Sequence, residues 1–373
     1  MSDYFELLPE ECLAIILNKV KSDTPGTYQR MIRPVCKRFL NYVRRNATKL
    51  TMLDTGALEV GFMFWTEYNG LKELEIDTRL FGFAEEVGLG KVSWEQLYIS
   101  QFDEWDMELD DGLFLLDESK DSLRRIGFRV GLRTCDCGVA DATWEQIERY
   151  LGLLKHNRLE LFVGNLPMHP VRAMAGSELV RVLELDMVCE YASVAIPYVF
   201  PNLEELYIID RDGPGDKDGE EAFLDVLGEL TEADGEQFGD PWPEMGRLKQ
   251  LTYVAQHHQW KQSDILAEDT FQCIARQAPN LVSANLRGMI HVDVAGRSLT
   301  RVVGSLCGLS KLEDLGLEIV GGEQLGTSEL QIFVPLVQKR SLRTLVISGL
   351  REDQAELLRV GARNGLEFST RFS

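Results

Sequence analysis

The stretch Leu71-Lys72-Glu73-Leu74-Glu75-Ile76 decides the fold, because its arrangement of apolar residues recurs along the chain. It consists of an apolar residue, two variable residues, an apolar residue, one variable residue and a final apolar residue. The last two apolar residues are two positions apart, so in a strand they point to the same face. The residues beside them point to the other face. The stretch therefore predicts a short strand with one buried face and one exposed face.

Eight further copies of this pattern follow the first one. They begin at Trp94, Leu123, Val180, Leu203, Leu248, Leu281, Leu312 and Leu342. A weaker copy lies at residues 159–163, and residues 50–53 form a degenerate first copy. Segments with apolar residues at helical spacing separate the copies, and residues 143–154, 270–278 and 299–306 are examples. The chain therefore alternates predicted strands with predicted helices.

This alternation predicts an α/β protein, and its pattern resembles that of leucine-rich repeats. Such repeats stack into a solenoid, a horseshoe with a parallel inner sheet and outer helices, which we expect over residues 51–373. An acidic insertion rich in glycine and proline interrupts the repeats at about residues 210–245. A doubly wound α/β domain would show the same alternation and is the alternative fold.

Residues 1–50 have a different composition from the rest of the chain. They hold nine Lys or Arg and five Asp or Glu, a net charge of +4, so the remaining residues carry −25 of the total of −21. Their apolar residues follow a helical spacing, and the strand pattern is missing from this part of the sequence. We therefore expect a separate, small all-α module over residues 1–50.

Two segments of this module resemble the F-box family. Residues 5–17 read FELLPEECLAIIL and residues 35–39 read VCKRF, which is similar to the family's LPxExLxxIL and VCKRF segments. An F-box joined to leucine-rich repeats resembles the substrate-recognition subunit of SCF-type cullin–RING ubiquitin ligases. The resemblance implies docking on the SKP-type adaptor through Leu8, Pro9, Leu13, Ile16, Val35, Cys36 and Phe39. The spacer at residues 21–34 is polar and ends in a proline, which departs from the family.

The alternative interpretation is that the N-terminal helices only cap the solenoid, since repeat arrays need caps. The protein would then be a leucine-rich-repeat scaffold or inhibitor. In both cases the outward strand positions are the candidates for binding a target protein, whose identity the sequence does not specify. Tyrosine and arginine are frequent anchors of protein interfaces. The candidate residues for target binding are Tyr98, Arg125, Arg129, Tyr207, Asn285 and Arg287.

Composition and motifs argue against several other functions. A net charge of −21 disfavours nucleic acid and anionic membranes as partners. The seven cysteines are scattered and odd in number, and the acidic N-terminus does not resemble a secretion signal, so we expect a cytoplasmic or nuclear protein. The sequence shows no hydrolase, zinc-protease or phosphate-loop motif. We therefore expect no catalytic residues, no metal and no cofactor.

Overall fold

The computed structural model describes residues 48–53, 70–101, 109–130, 137–164, 174–187, 199–210, 245–255, 278–291 and 297–371. These residues form one parallel sheet of twelve strands, in which each strand lies beside its neighbours in the sequence. The strands are β1 (Lys49–Met52), β2 (Glu73–Asp77), β3 (Gln96–Gln101), β4 (Arg125–Val130), β5 (Leu159–Gly164), β6 (Val180–Met187), β7 (Glu205–Asp210), β8 (Gln250–Ala255), β9 (Ser283–His291), β10 (Asp314–Val320), β11 (Thr344–Ser348) and β12 (Glu367–Ser369).

Helical segments connect several of these strands, because parallel neighbours require a crossover connection. The α-helices are α1 (Phe81–Glu86), α2 (Cys137–Leu153), α3 (Arg297–Gly308), α4 (Val334–Val337) and α5 (Glu352–Gly361). Short 3₁₀ helices lie at Thr78–Leu80, Leu89–Lys91, Leu109–Leu116, Ser177–Leu179, Gly322–Gln324 and Glu329–Phe333. The predicted helical segments at residues 143–154 and 299–306 correspond to α2 and α3. The 3₁₀ segments occupy other, shorter connections, which this conformation suits.

Two rows of apolar side chains run across the sheet and form the core. One row begins Leu50, Leu74, Leu97 and continues through the aligned residues of the later strands. The second row begins Met52, Ile76, Ile99 and lies two residues further along each strand. Both rows belong to one buried cluster that includes apolar side chains of the helices. The helices therefore cover one face of the sheet.

An aromatic pair shows how a helix joins this core. Phe128 on β4 and Tyr150 on α2 are both fully buried, and their rings meet edge to face with 5.3 Å between centroids. The Tyr150 hydroxyl donates a hydrogen bond of 2.5 Å to the carbonyl oxygen of Leu109. Burial raises the pKa of the Tyr150 phenol far above its usual value. The hydrogen bond is needed because a buried hydroxyl without a partner would destabilise the fold.

Asparagine side chains in two loops connect consecutive repeats. Asn202, which follows a proline before β7, donates from Nδ2 to the carbonyl oxygen of Glu178 at 2.9 Å. Asn280 occupies the same place before β9 and donates to the carbonyl oxygen of Gly246 at 2.9 Å. Each asparagine thus satisfies a backbone acceptor of the preceding repeat. The Pro-Asn pairs are therefore part of the stacking.

Charged residues of opposite sign also alternate at the edge where the strands begin. Lys72 Nζ lies 2.6 Å from Oε1 of Glu95, and this hydrogen bond lowers the pKa of the Glu95 carboxyl. Glu204 contacts Lys249 at 3.7 Å, and Arg343 Nη1 lies 3.2 Å from Oε2 of Glu313. Such exposed pairs each contribute only about 0.2–1 kcal/mol. Their alternating sign favours the observed stacking order over a slipped one.

The fold agrees with the sequence prediction at the level of class. All nine copies of the apolar pattern lie on strands, and so do the weaker copy, as β5, and the degenerate first copy, as β1. The result is an α/β protein with a parallel, solenoid-like arrangement of strands. The strand β12 was not predicted, because its three residues are too few to repeat the pattern. The strand β1 begins at Lys49, so the predicted domain boundary after residue 50 falls inside a strand.

Some predictions fall on residues that lie outside the described ranges. These are the seven candidate adaptor-binding residues of the F-box-like segment, the predicted helix at residues 270–278 and nearly all of the acidic insertion. Within the described ranges, none of the helices combines the length and the apolar character that crossing a membrane requires.

Candidate binding surface

The second face of the sheet distinguishes this protein from an ordinary α/β domain. Parallel sheets are usually covered by helices on both faces, and their strands are then apolar throughout. Here the side chains that point away from the helices are mostly polar and partly exposed, as in Glu73, Glu75, Gln96 and Tyr98. We call this side the open face. It is the candidate binding surface.

A cation–aromatic group lies on strands β1 to β4 of the open face. The Tyr98 ring lies between two cations, with Lys49 Nζ and Arg125 Cζ each 5.7 Å from its centroid. Lys49 also contacts Glu73 at 2.8 Å and Glu75 at 2.9 Å. Desolvation opposes the charge of Lys49, but its hydrogen bonds to the two carboxylates outweigh it and raise the pKa of the ammonium group.

Arg125 joins this group to the next two strands. Its Nη2 donates to Oε2 of Glu184 on β6 at 3.0 Å, and its Nη1 lies 3.7 Å from Oε2 of Glu160 on β5. Its Nε is buried and has no hydrogen-bond partner. The guanidinium therefore bridges two carboxylates while one edge stays close to the Tyr98 ring. This arrangement fixes the arginine in one orientation on the surface.

Two glycines make room for the rings that lie on this part of the open face. A Cβ atom at Gly127 would lie 2.6 Å from Cδ1 of Tyr98 and 3.2 Å from Cδ1 of Phe162. A Cβ at Gly164 would lie 2.9 Å from Cζ of Phe162. Arg129 covers the Phe162 ring, with its Cζ 5.5 Å from the centroid. Phe162 is consequently only 8% exposed although it points away from the core.

We use the name paired-charge lattice for the side chains on β1 to β6 that these contacts connect. Arg129 completes it, since its Nη1 lies 3.7 Å from Oε1 of Glu75. The members are Lys49, Glu73, Glu75, Tyr98, Arg125, Arg129, Glu160, Phe162 and Glu184. Each of its cations has a carboxylate within 4 Å. The arginines are therefore neutralised in place and do not form a free basic patch.

A second tyrosine network lies on β7 and β8. The Tyr207 hydroxyl donates to Oε2 of Glu205 at 2.9 Å and accepts from Nε2 of Gln250 at 2.7 Å. Arg158 Nη2 lies 3.8 Å from the other carboxylate oxygen of Glu205. Burial raises the pKa of Tyr207 to about 12, and the hydrogen bond to Glu205 and the nearby charge of Glu184 act in the same direction.

The open face has a different character from β8 to β11. Its outward residues include Thr252, Ser283, Thr344 and Val346, which are small and uncharged. On β9, Arg287 Nε donates to Oδ1 of Asn285 at 3.3 Å. No ion pair is found between outward residues of β8 to β11 in the described part of the chain. Among the described residues, this half of the open face shows fewer cross-strand contacts between outward side chains than the first half.

All six candidate target-binding residues lie on the open face. Tyr98, Arg125 and Arg129 belong to the paired-charge lattice, Tyr207 lies one strand beyond it, and Asn285 and Arg287 lie on β9. The structure therefore divides the six residues among three separate groups.

Sequence reasoning missed several members of the lattice. Lys49 was missed because the first copy of the pattern is degenerate, and Glu160 and Phe162 because the copy on β5 is weak. Phe162 did carry a signal, since it places an aromatic residue at an outward position where polar residues prevail. Glu184 was missed as well. It lies on β6 directly beside Tyr207 of β7 in the sheet.

The described side chains of the open face offer charged, hydroxyl and aromatic groups that can contact another molecule. Among the described residues, no group of three His, Cys, Asp or Glu side chains is arranged to hold a metal ion. A scan against protein-family models found no match. A search of the curated proteins likewise found no match. The assignment of function therefore rests on the sequence and the geometry.

Proposed function

We propose that this protein is the substrate-recognition subunit of an SCF-type ubiquitin ligase. Residues 1–50 would dock on the SKP-type adaptor, and the open face would bind the protein that is to be ubiquitinated. The observation that carries the proposal is a twelve-stranded parallel sheet whose outward side chains are mostly polar and partly exposed among the described residues, in a chain with an F-box-like sequence at residues 5–39. The F-box resemblance supports the adaptor, and the open face supports a protein ligand.

The proposed mechanism requires no chemistry from this chain. One end of the protein is fixed to the ligase, and the sheet holds a target near the ubiquitin-charged enzyme. Holding two reactants together raises their effective concentration, which accelerates a transfer between them. The protein would act in the cytoplasm or the nucleus, where the ligase and its targets meet.

The adaptor contact is tested with the double substitution Leu8→Ala and Pro9→Ala in the full chain. If these residues are interface anchors, the substitution weakens binding to a purified SKP-type adaptor by about 2 kcal/mol or more, measured by calorimetry. Leu357→Ala, which changes an exposed apolar residue of α5, is the matched control. An unchanged affinity in the folded double variant would contradict the ligase assignment and favour the scaffold or inhibitor alternative.

The target contact is tested by reversing two charges of the paired-charge lattice. Arg125→Glu with Arg129→Glu places new negative charges beside Glu160, Glu184 and Glu75, so it disrupts the surface as well as its charge. We expect loss of captured target in affinity purification from cells with a blocked proteasome, while the adaptor is retained. Lys249→Glu with Arg343→Glu makes the same charge change at the edge where the strands begin and serves as the control. If the lattice variant still captured the target, the paired-charge lattice would not be the target-binding part of the open face.

A further inference from the structure

Two tyrosines occupy equivalent positions on the open face but have different surroundings. Tyr98 on β3 and Tyr207 on β7 both lie between the two buried residues of their strand and are partly exposed. Tyr98 has two cations beside its ring, from Lys49 and Arg125. In the described part of the chain, no lysine or arginine lies over the ring of Tyr207. At β3 the chain thus supplies its own cations beside the tyrosine ring, whereas at β7 the described residues supply none.

Carboxylates surround Tyr207 instead of cations. Glu205 accepts the hydrogen bond from its hydroxyl, and Glu184 lies beside it on the neighbouring strand. Glu160 on β5 adds to the negative field, which contributes to the raised pKa of the Tyr207 phenol. Among the described residues these three carboxylates share two guanidinium groups, those of Arg125 and Arg158, so the group beside the ring carries one more negative than positive charge.

The open face as a whole is also negatively charged. Its outward strand positions hold four basic residues, which are Lys49, Arg125, Arg129 and Arg287. Among the described residues they hold eight acidic residues that are at least partly exposed, which are Glu73, Glu75, Glu160, Glu184, Glu205, Asp314, Glu318 and Glu367. Asp77 and Asp186 on the same strands are buried. A surface of this charge attracts basic segments of other proteins and accelerates their association.

We propose that Tyr207 with Glu205 and Glu184, which we call the Tyr207 cluster, receives a lysine or arginine side chain of the partner protein. The cation packs against the Tyr207 ring and pairs with the two carboxylates. Arg125 shows on the same sheet that a guanidinium contacting Glu160 and Glu184 fits beside a tyrosine ring. The inference deepens the proposed function, because it rests on the open face binding a protein and names the chemistry of the contact.

The geometry of Tyr207 favours such a contact before any partner arrives. Its hydroxyl is held by Glu205 on one side and by Gln250 on the other, so the ring has one orientation. A side chain that is already fixed loses little conformational entropy on binding. Cations also bind aromatic faces more strongly when neighbouring carboxylates compensate the cost of removing water.

The test uses the full chain and four labelled dodecapeptides of glycine and serine. Three positions of each peptide carry arginine, lysine, glutamine or glutamate, and binding is followed by fluorescence anisotropy at about 0.15 M salt, where the Debye length is about 8 Å. We expect the arginine and lysine peptides to bind and the glutamine and glutamate peptides not to bind. Tyr207→Leu and Glu205→Gln should each weaken the affinity for the cationic peptides about three- to tenfold, a range typical of cation–aromatic and ion-pair contacts. Tyr207→Phe, which keeps the ring, should weaken them less than Tyr207→Leu.

The matched control is Glu318→Gln, which removes one negative charge from the same face on β10. It should leave the affinity within about twofold, since exposed charges three strands away are largely screened. Equal weakening by Glu318→Gln and Glu205→Gln would overturn the proposal, because it would show attraction by the general charge alone. Binding of the glutamate peptide in preference to the cationic ones would also overturn it and would favour an acidic or phosphorylated segment on the arginines.

Adaptor binding is measured on the same preparations, so that this inference and the ligase assignment fail separately. If the cationic peptides do not bind while the purified adaptor does, the Tyr207 proposal is wrong and the ligase assignment stands. If the peptides bind as expected while the adaptor does not, the Tyr207 proposal stands and the protein is a scaffold or inhibitor. Thermal unfolding of each variant confirms that the sheet is intact.

Discussion

The two halves of the open face show that one repeat architecture supports two kinds of surface. From β1 to β7 many of the outward side chains are long, charged or aromatic, and they contact one another across several strands. From β8 to β11 they are shorter and mostly uncharged. The register is regular in most of both halves, with one irregularity between β5 and β6 and one between β9 and β10, so the difference lies mainly in the side chains. The outward side chains of the first half are held in place by one another, while those of the second half are shorter and make fewer described contacts.

The largest expected effect comes from filling the space beneath the rings of the first half. Gly127→Val would drive a side chain into Tyr98 and Phe162, whose rings lie directly over the glycine. Forcing atoms into a packed site typically lowers the free energy of unfolding by about 1–3 kcal/mol. We expect a value near the upper end, because two rings must move and their contacts with Arg125 and Arg129 are lost. Denaturant unfolding measures the change.

Gly304→Ala on helix α3 is the control for this substitution. A Cβ at Gly304 has no atom within 4 Å, so the added methyl meets open space. Alanine in a helix is about 0.5–1 kcal/mol more favourable than glycine, so this variant should be slightly more stable. Equal stability of Gly127→Val and the unmodified protein would show that the rings are not held against the sheet.

A smaller effect is expected from removing the arginine that connects three strands. Arg125→Ala leaves Glu160 and Glu184 without their shared cation and uncovers the Tyr98 ring. We expect a loss of about 1–2 kcal/mol of unfolding free energy, the combined size of partly exposed ion pairs and one cation–aromatic contact. Thr344→Ala changes the equivalent position on β11 and should stay within about 0.5 kcal/mol. If both variants lose the same amount, the two halves do not differ in side-chain coupling.

The smallest effect concerns the ionisation of Tyr207. Its pKa in the folded protein is raised to about 12, above the ordinary tyrosine value of about 10. Between these two pH values the unfolded chain ionises this phenol and the folded protein does not, so the contribution of Tyr207 to stability falls as the pH rises. Below pH 10 the contribution is fully present. Unfolding midpoints from pH 8 to 11 should therefore decline more in the unmodified protein than in Tyr207→Phe. Parallel declines would contradict the raised pKa.

The sequence predicted the sheet well because the signal for it is local. An apolar residue at every second position of a short strand is visible without knowing what lies beside it, as at Leu74 and Ile76. The prediction failed at β12, where three residues carry too little of the pattern. It located the helices at residues 143–154 and 299–306, which are α2 and α3, but gave no sign of the short 3₁₀ segments in other connections.

The candidate site was predicted only in part. The repeat pattern identified Tyr98, Arg125 and Tyr207 as outward residues, because their positions follow from the alternation of the strand. It gave no sign that Arg125 reaches Glu184 across β5, since that contact joins residues 59 positions apart. The sequence also did not show why residue 127 is a glycine, because the reason is the rings of Tyr98 and Phe162 on the two neighbouring strands.

The sequence by itself determined the class of the fold, the order of its strands and the set of residues that face away from the core. These properties depend on the local period of apolar residues and on the preference of consecutive repeats to stack. Tertiary structure alone decided which outward residues meet. Cross-strand contacts depend on register and on the reach of each side chain, and both are fixed only once the strands lie side by side. That is why the arginines are neutralised within the lattice while Tyr207 keeps an excess of negative charge beside its ring.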